Sequence, residues 1–316
     1  MTMNTSLNQQ NPGGDGQRPV SDVAIVVPFI VENDQQGEIL RTCVERLHEN
    51  LRNPETELTL IDNGSPDPDY VMDCGIHSVP PVRNEENIGV IGTFKQGYEA
   101  TNSDIVAFIH SDALLQEAGW DLRILDAFAA DPQLGLAGLF GAQGIAADGC
   151  RLETMSNMVG KEWGKCPCHP VSWMHHGHHM TGVAPAAVLD GVGLFFRRDT
   201  LRQLVQETDM FADWRAPHHF YDLILSCKVA ELGWHIATIG IEFDHFAGAT
   251  VASEVYSRSA AAWVERQVGA GVLTDVRYGE IPDQTIYYIA EKQFFAEFRQ
   301  RLPLFVNPDY SYRWGQ

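Results

Sequence analysis

The chain has few cysteines, few basic residues and no long apolar run. Six cysteines in 316 residues do not suggest the disulfide framework of a small secreted domain. Lys and Arg number 22 against 42 Asp and Glu, and the net charge of -20 argues against unaided binding to a nucleic-acid backbone or an anionic membrane. No apolar run approaches the length of a membrane span, and the polar N-terminus lacks a signal-peptide core. We therefore expect a cytoplasmic protein.

Short apolar runs alternate with stretches of helical periodicity from Val23 onward. The predicted strands are residues 23–27, 58–61, 105–109, 134–140, 192–196 and 234–241. The predicted helices are residues 39–51, 88–100, 120–128, 221–232 and 285–301, with one more that begins near residue 200. This alternation predicts an α/β fold with a mostly parallel sheet flanked by helices.

Three segments depart from the alternating pattern. Residues 1–21 are rich in Asn, Gln, Gly and Pro, so we predict a disordered tail. Residues 141–188 are rich in Gly, His, Trp and Pro, and we interpret them as a long functional loop region with short strands. No linker is evident, so we expect one domain over residues 22–250. Residues 251–316 then form a C-terminal helical extension packed on the same domain.

The strand predicted at residues 105–109 ends in His110, Ser111 and Asp112. In an open α/β sheet, ligands bind at the carboxyl ends of the strands. A carboxylate there can hold a divalent cation, and the cation can hold a diphosphate. The alternative is a strand that runs into an acidic turn, since acids are common in turns.

Four segments in a fixed order indicate a family. They are the strand ending at Pro28, the turn Asp62-Asn63-Gly64-Ser65, the loop and helix at residues 87–97 followed by the strand that ends at Asp112, and Tyr221-Asp222 before Gly233-Trp234. This series resembles the family 2 glycosyltransferases, inverting enzymes of the GT-A fold. The resemblance covers about residues 23–248.

The resemblance implies a nucleotide site in the first half of the chain. Asp62 matches the acid that reads the base, while Asn87 and Gly89 match a loop around the ribose and diphosphate. Lys95 could reach a phosphate from the following helix. Two alternatives stay open, because Asp62 could cap its own turn and Lys95 could lie on a solvated helix face. The predicted nucleotide-binding residues are Pro28, Glu32, Asp62, Asn63, Asn87, Gly89, Lys95, His110 and Ser111.

The resemblance also implies a metal site. Asp112 matches the last acid of the family's Asp-x-Asp segment, and His245 matches the His of a second ligand segment. His110 replaces the first acid, and it could contact the ribose or simply close the strand. Imidazole and carboxylate together suit Mn²⁺, and Mg²⁺ is the second candidate.

Asp222 is the predicted catalytic base, which would accept the proton of the acceptor's hydroxyl group. The family usually has Glu-Asp here, and Tyr221 replaces the Glu. The alternative for Asp222 is an acid favoured at a helix N-terminus by the macrodipole. The residues predicted to contact the donor sugar or acceptor are Asp190, Gly191, Trp173 and His219.

Seven Cys and His residues fall within residues 166–179. The Cys-Pro-Cys segment lacks the usual gap between zinc-binding cysteines. A structural zinc site and an acceptor-binding loop with Trp163 and Trp173 are both open.

These observations predict a metal-dependent inverting glycosyltransferase, a hexosyl- or pentosyltransferase, that uses a nucleotide sugar as its donor. A UDP-sugar is favoured over a GDP-sugar. The alternatives are a non-catalytic nucleotide or sugar binder and a nucleotidyltransferase of similar fold. The acceptor could be a glycan, a protein, a lipid-linked sugar or a modified nucleobase.

Overall fold

Strands and helices alternate through the computed structural model, which describes residues 22–69, 81–159, 177–246, 253–273 and 282–315. Its helices are α1 (Asp34–Asn50), α2 (Gly89–Ala100), α3 (Trp120–Ala130), α4 (Arg198–Glu207), α5 (Tyr221–Glu231), α6 (Glu254–Gly269) and α7 (Pro282–Phe298). Its strands are β1 (Val23–Phe29), β2 (Glu57–Asp62), β3 (Val82–Arg83), β4 (Ile105–Ile109), β5 (Ala113–Leu115), β6 (Leu134–Gly138), β7 (Phe140–Ile145), β8 (Arg151–Met158), β9 (Val183–Pro185), β10 (Val188–Leu189), β11 (Gly193–Arg197), β12 (His235–Ile239), β13 (Glu242–His245), β14 (Leu304–Val306) and β15 (Tyr312–Trp314). None of the helices in these ranges combines the length and the hydropathy needed to cross a bilayer.

The larger sheet confirms the predicted α/β architecture. Its strand order over the described residues is β3-β2-β1-β4-β11-β6-β12-β9. The pairs β3/β2, β2/β1, β1/β4 and β6/β12 are parallel, while β11 runs antiparallel to β4 and β6, and β9 antiparallel to β12. The carboxyl ends of β1, β2 and β4 therefore meet at one edge.

Both faces of this sheet are buried. Val23, Ile25 and Val27 of β1 pack in one apolar cluster with α1 and α3. Val26, between them in the chain, packs in a second cluster with α2, α4 and α5. Successive side chains of a strand point to opposite faces, so a strand buried on both faces is apolar throughout. This explains the continuous apolar runs that marked these strands.

The sequence predicted a first strand that ends at Pro28, but the strand continues past this residue. Strand β1 continues to Phe29, and Pro28 pairs with Ile61 of β2. The extra two residues carry the strand to the edge of the sheet where β2 also ends.

The region after residue 134 has more regular structure than predicted. The expected strand at residues 134–140 divides at Leu139 into β6 of the larger sheet and β7 of a second sheet. Strands β7 and β8 pair antiparallel, although the glycines of β7 suggested a loop. Those glycines allow close packing, because a Cβ at Gly141 would lie 2.2 Å from the Thr238 hydroxyl oxygen.

The C-terminal segment is joined to the rest of the chain by backbone and side-chain contacts. The predicted helices are present as α6 and α7, but two further strands, β14 and β15, follow them. Strand β14 pairs with β7 and so extends the second sheet. The Glu32 carboxylate, just after β1, accepts a hydrogen bond from the Val255 N–H at 2.7 Å, at the start of α6.

Candidate active site

A cavity of about 190 Å³ lies at the edge where β1, β2 and β4 end. We call it the first cavity. It is lined by Pro28, Phe29, Ile30, Asn63, Asn87, Val90, Thr93, His110, Ser111, Asp112, His218, His219, Tyr221 and Tyr256. The predicted site residues in this set are Pro28, Asn63, Asn87, His110, Ser111, Asp112 and His219. Strand ends far apart in the chain thus meet at one place because the strands are parallel neighbours.

Three side chains in and beside this cavity could hold a metal ion. The ligand atoms of His110, Asp112 and His245 all lie within 4.8 Å of one another. The His245 Nε2 is 3.3 Å from Asp112 Oδ1. Strands β13 and β5 pair so that His245 stands opposite Ala113, next to Asp112. His110 therefore joins the predicted pair of Asp112 and His245 as a third candidate ligand.

The pKa values in this cluster depend on burial and on the Asp112 carboxylate. Burial lowers the pKa of His110, which keeps its imidazole neutral and able to ligate. Burial opposes ionisation of Asp112, but His245 and His110 outweigh it and hold the pKa of Asp112 below its usual value. Burial also opposes charge on His245, yet the Asp112 carboxylate raises its pKa. Two imidazoles and one carboxylate form a ligand set that suits Mn²⁺.

The loop before α2 is held by an amide pair. The Asn63 Nδ2 donates to Asn87 Oδ1 at 2.8 Å, and Asn87 Oδ1 also accepts the Gly89 N–H at 2.8 Å. The Asn87 Nδ2 is buried and has no hydrogen-bond partner among the described residues. Since a buried donor normally has an acceptor, Asn87 offers a hydrogen bond to a ligand of the first cavity.

Gly89 is required by close packing. Its φ is +78°, and a Cβ there would lie 2.4 Å from Pro217 Cβ. The Val90 N–H donates to the Pro217 carbonyl at 3.0 Å. Gly89 thus fixes the start of α2 against the segment that leads to His218, and it does not line the first cavity.

Asp62 is engaged within its own loop. Its Oδ1 accepts the Ser65 N–H at 2.8 Å, and its Oδ2 pairs with Arg83. The residue is 1% exposed and does not line the first cavity. The contact to Ser65 is the turn-capping role that the sequence left open, and a contact with a nucleotide base stays a prediction.

Glu32 and Lys95 lie away from the first cavity. Glu32 caps the start of α6 through the Val255 N–H. Lys95 pairs with Glu99 one turn along α2, and its side chain is 45% exposed. Five of the nine predicted nucleotide-binding residues thus line the first cavity, whereas Glu32, Asp62, Gly89 and Lys95 do not.

Asp222 lies at the start of α5 and is held by three donors. Arg151 Nη2 is 2.6 Å from Asp222 Oδ2, and the Gly191 N–H donates to the same oxygen at 3.3 Å. The Leu223 N–H donates to Oδ1 at 2.9 Å. Burial raises the pKa of Asp222, Arg151 lowers it and Asp190 raises it, and the net shift is upward. A raised pKa suits a general base.

Tyr221 connects Asp222 to the metal-ligand cluster. Its hydroxyl lies 3.2 Å from His110 Nε2. A Cβ at Gly191 would lie 1.9 Å from this hydroxyl, so Gly191 leaves the space that the phenol occupies. Tyr221, which replaces the Glu usual in the family, is therefore packed between the metal-ligand cluster and the predicted base.

The backbone before α5 is strained. His219 and Phe220 have φ values of +60° and +51°, which non-glycine residues rarely adopt. Tyr256 Oη lies 3.3 Å from His219 Nε2, and the Tyr287 ring contacts both residues edge-on. Such strain persists where neighbours impose it, and it is concentrated at functional sites.

Comparison with known families decides the classification. Residues 79–280 match the family described as "glycosyltransferase like family". The chain belongs to this glycosyltransferase family. The match confirms the resemblance to family 2 glycosyltransferases, and the chain is a glycosyltransferase. A search of curated proteins gives no match.

Among solved structures, the mannosyltransferase PcManGT from Pyrobaculum calidifontis, in complex with GDP-Man and Mn2+, is similar to this glycosyltransferase. The TM-score is 0.47 and the sequence identity 15%, over 89% of this chain and 71% of that chain.

Arg151 and Tyr256 are among the contributors to the glycosyltransferase site that were not predicted. Arg151 begins β8, in the segment 141–188 that is predicted to be a long loop region with short strands, and no local motif marks it. Tyr256 is 2% exposed and reaches the first cavity from α6, which follows the segment covered by the resemblance. Only the position of Ser253 as the N-cap of α6 could have placed Tyr256 in a first helical turn.

The Cys- and His-rich segment of the glycosyltransferase lies mostly outside the described residues, as does Trp173. His178 and His179 are described. The side chain of His178 is 81% exposed and lies 3.8 Å from Glu153. Both alternatives for this segment stay predictions.

Proposed function

We propose that this glycosyltransferase is a metal-dependent, inverting enzyme that moves a sugar from a UDP-sugar to an acceptor hydroxyl group. The observation that carries the proposal is the cluster of His110, Asp112 and His245 at the first cavity. A diphosphate needs positive charge in this chain, whose formal net charge is -20. A bound cation supplies such charge where side chains do not.

The nucleotide sugar can be held in the first cavity by hydrogen bonds and by apolar contacts. The free donor on Asn87 Nδ2 can meet an oxygen of the ribose or diphosphate. Pro28 and Ile30 offer apolar surface at the end of β1. The chemistry that a divalent cation would supply at the His110, Asp112 and His245 cluster is neutralisation of charge on the leaving diphosphate.

Asp222 is the base in this proposal. The acceptor oxygen forms a bond to the anomeric carbon while the bond from that carbon to the diphosphate breaks. The acceptor's proton passes to Asp222, and the nucleoside diphosphate leaves. A carboxylate has about four acceptor positions, and three donors already contact Asp222. One position therefore remains for the acceptor hydroxyl.

A donor panel tests the proposal. The full chain is incubated with UDP- and GDP-sugars in Mn²⁺ and in EDTA, and nucleoside diphosphate release to water is measured by chromatography. We expect release from a UDP-sugar only with Mn²⁺. Binding without release, for every donor and with no transfer to any acceptor tried, would indicate a non-catalytic binder. Release from GDP-sugars alone would overturn the choice of UDP.

A further inference from the structure

A second cavity, of about 450 Å³, shares a wall with the first. Asn87 and His218 line both cavities. The rest of its wall comes from residues 86–95 around the start of α2, from residues 211–217 and from residues 259–270 in and just after α6. None of the three candidate metal ligands lines it, so this cavity is distinct from the proposed site of sugar transfer.

Three basic side chains from separate elements line the second cavity, in a chain that has only 22 Lys and Arg. They are Lys95 of α2, Arg215 of the connecting segment and Arg266 of α6. Lys95 has an ion pair with Glu99, but both side chains are about half exposed, and such pairs are weak. Two acids, Glu86 and Asp213, also line the cavity. The acid in the Lys95 pair, Glu99, is not part of the lining.

Arg215 carries a buried hydrogen-bond donor that nothing in the described chain satisfies. Its side chain is 1% exposed, and its Nη2 contacts Asp209 at 2.6 Å and Glu297 at 2.8 Å. Its Nη1 is buried without a partner among the described residues. Leaving such a donor unmet destabilises the folded protein, so an acceptor atom is expected beside it. Since Arg215 lines the second cavity, a ligand there can supply that atom.

The start of α2 adds favourable electrostatics. Gly89, Ile91 and Gly92 of its first turn line the cavity, and the N-cap residue Ile88 has no side chain able to cap. A helix N-terminus attracts negative charge through its N–H groups and its dipole. The N-terminus of α2 and the three basic side chains thus all favour an anionic ligand.

We propose that the second cavity binds an oxyanion, a phosphate or carboxylate group, independently of the metal and the sugar donor. Arg266 and Lys95 provide charge at the opening, and Arg215 provides a buried donor. A free phosphate and a phosphate carried by a sugar share this chemistry. Because Asn87 belongs to both walls, an anion here is placed to influence the nucleotide loop.

Calorimetry of the full chain in EDTA, at low ionic strength, tests the proposal with inorganic phosphate and with glucose 6-phosphate. EDTA removes divalent cations from the His110, Asp112 and His245 cluster. We expect saturable binding of both probes, weakened at least about tenfold by Arg266→Gln or Lys95→Gln, since each variant loses a charge-assisted contact with the anion. If glucose 6-phosphate binds more tightly than inorganic phosphate, the ligand is a phosphorylated sugar. If the two probes bind equally, the ligand is a free anion.

Arg258→Gln is the matched control. Arg258 lies on the same helix, is exposed, pairs with Glu254 and does not line the cavity. Its loss should change the affinity less than twofold. No binding of either probe at millimolar concentration, or equal losses in the Arg258 and Arg266 variants, would overturn the proposal. Loss of phosphate binding in Asp112→Asn would also overturn it, by placing the anion in the first cavity. Failure of sugar transfer would leave this measurement unaffected.

Discussion

Arg151 and Asp222 form a partly buried ion pair in which Arg151 Nη2 lies 2.6 Å from Asp222 Oδ2. The same Nη2 lies 3.3 Å from Asp190 Oδ2. One guanidinium therefore joins the two acids that the sequence assigned separately to proton transfer and to sugar contact. The Arg151 Nε is buried without a partner among the described residues. The pair holds the proposed base in one orientation and counters the effect of burial on its charge.

Asp222→Asn should abolish transfer and leave UDP affinity within a few-fold. Loss of a positioned base costs about 10²–10⁴-fold in rate, whereas the metal-ligand cluster does not include Asp222. Single-turnover transfer to water or acceptor, and UDP calorimetry on the same preparation, measure the two effects. Transfer at the wild-type rate would exclude Asp222 as the base and favour Asp190 or His219. Joint loss of transfer and binding would indicate a structural role.

Arg151→Gln should move the acidic limb of the kcat/KM profile to higher pH. The active base is unprotonated Asp222, and Arg151 lowers the pKa of Asp222 against the effect of burial. Without the guanidinium the pKa rises further, so activity is lost at a higher pH as the pH falls. The pH profile of donor hydrolysis measures this shift.

Arg123→Gln provides the control for that profile. Arg123 pairs with Glu117 and is 31% exposed, close to the 28% of Arg151, but it contacts no proposed site residue. Its profile should keep the wild-type limb. If the Arg151→Gln variant shows a lower maximum of kcat/KM but the same acidic limb, Arg151 supports the fold and does not set the pKa of Asp222.

Asp112→Asn should weaken Mn²⁺-dependent UDP binding by at least about tenfold, the lower end of losses seen when even a supporting metal-site residue is removed. Calorimetry with UDP, in Mn²⁺ and in EDTA, measures it. Asp131→Asn is the control, because Asp131 forms a similar Asp–His pair with His235 at 2.6 Å outside the first cavity. If wild-type UDP affinity is the same with and without Mn²⁺, the cluster has no metal role.

Asp62→Ala should lower the free energy of unfolding by about 1–3 kcal/mol, since the buried Ser65 N–H loses its acceptor. It should also weaken UDP binding and reduce discrimination against GDP. Arg83→Gln removes the other partner of Asp62 while keeping the carboxylate. Chemical denaturation and nucleotide titrations of both variants separate the effects. If Asp62→Ala and Arg83→Gln lose the same amount of UDP affinity, Asp62 acts only by capping its loop.

Much of the architecture was predictable because buried strands and amphipathic helices carry their own periodicity. Strand β4 and helix α2 match the predicted ranges almost residue for residue. The hairpin of β7 and β8 lies in a segment that was predicted only as a loop region with short strands, because its glycines are also typical of loops. In the structure these glycines allow close packing against Thr238 and Phe305. The strands β14 and β15 were missed because each is only three residues long.

The sequence by itself determined the α/β class, the acid at the tip of β4 and the family resemblance, because each depends on short segments that are recognisable along the chain. The tertiary structure decided which of those residues share a site. His245 meets His110 and Asp112 only because β13 pairs with β5. Arg151 reaches Asp222 across 71 residues. Lys95 and Arg266 share the second cavity because α2 and α6 both border it. Local periodicity specifies elements, whereas the pairing of distant elements depends on the free energy of the whole packed chain.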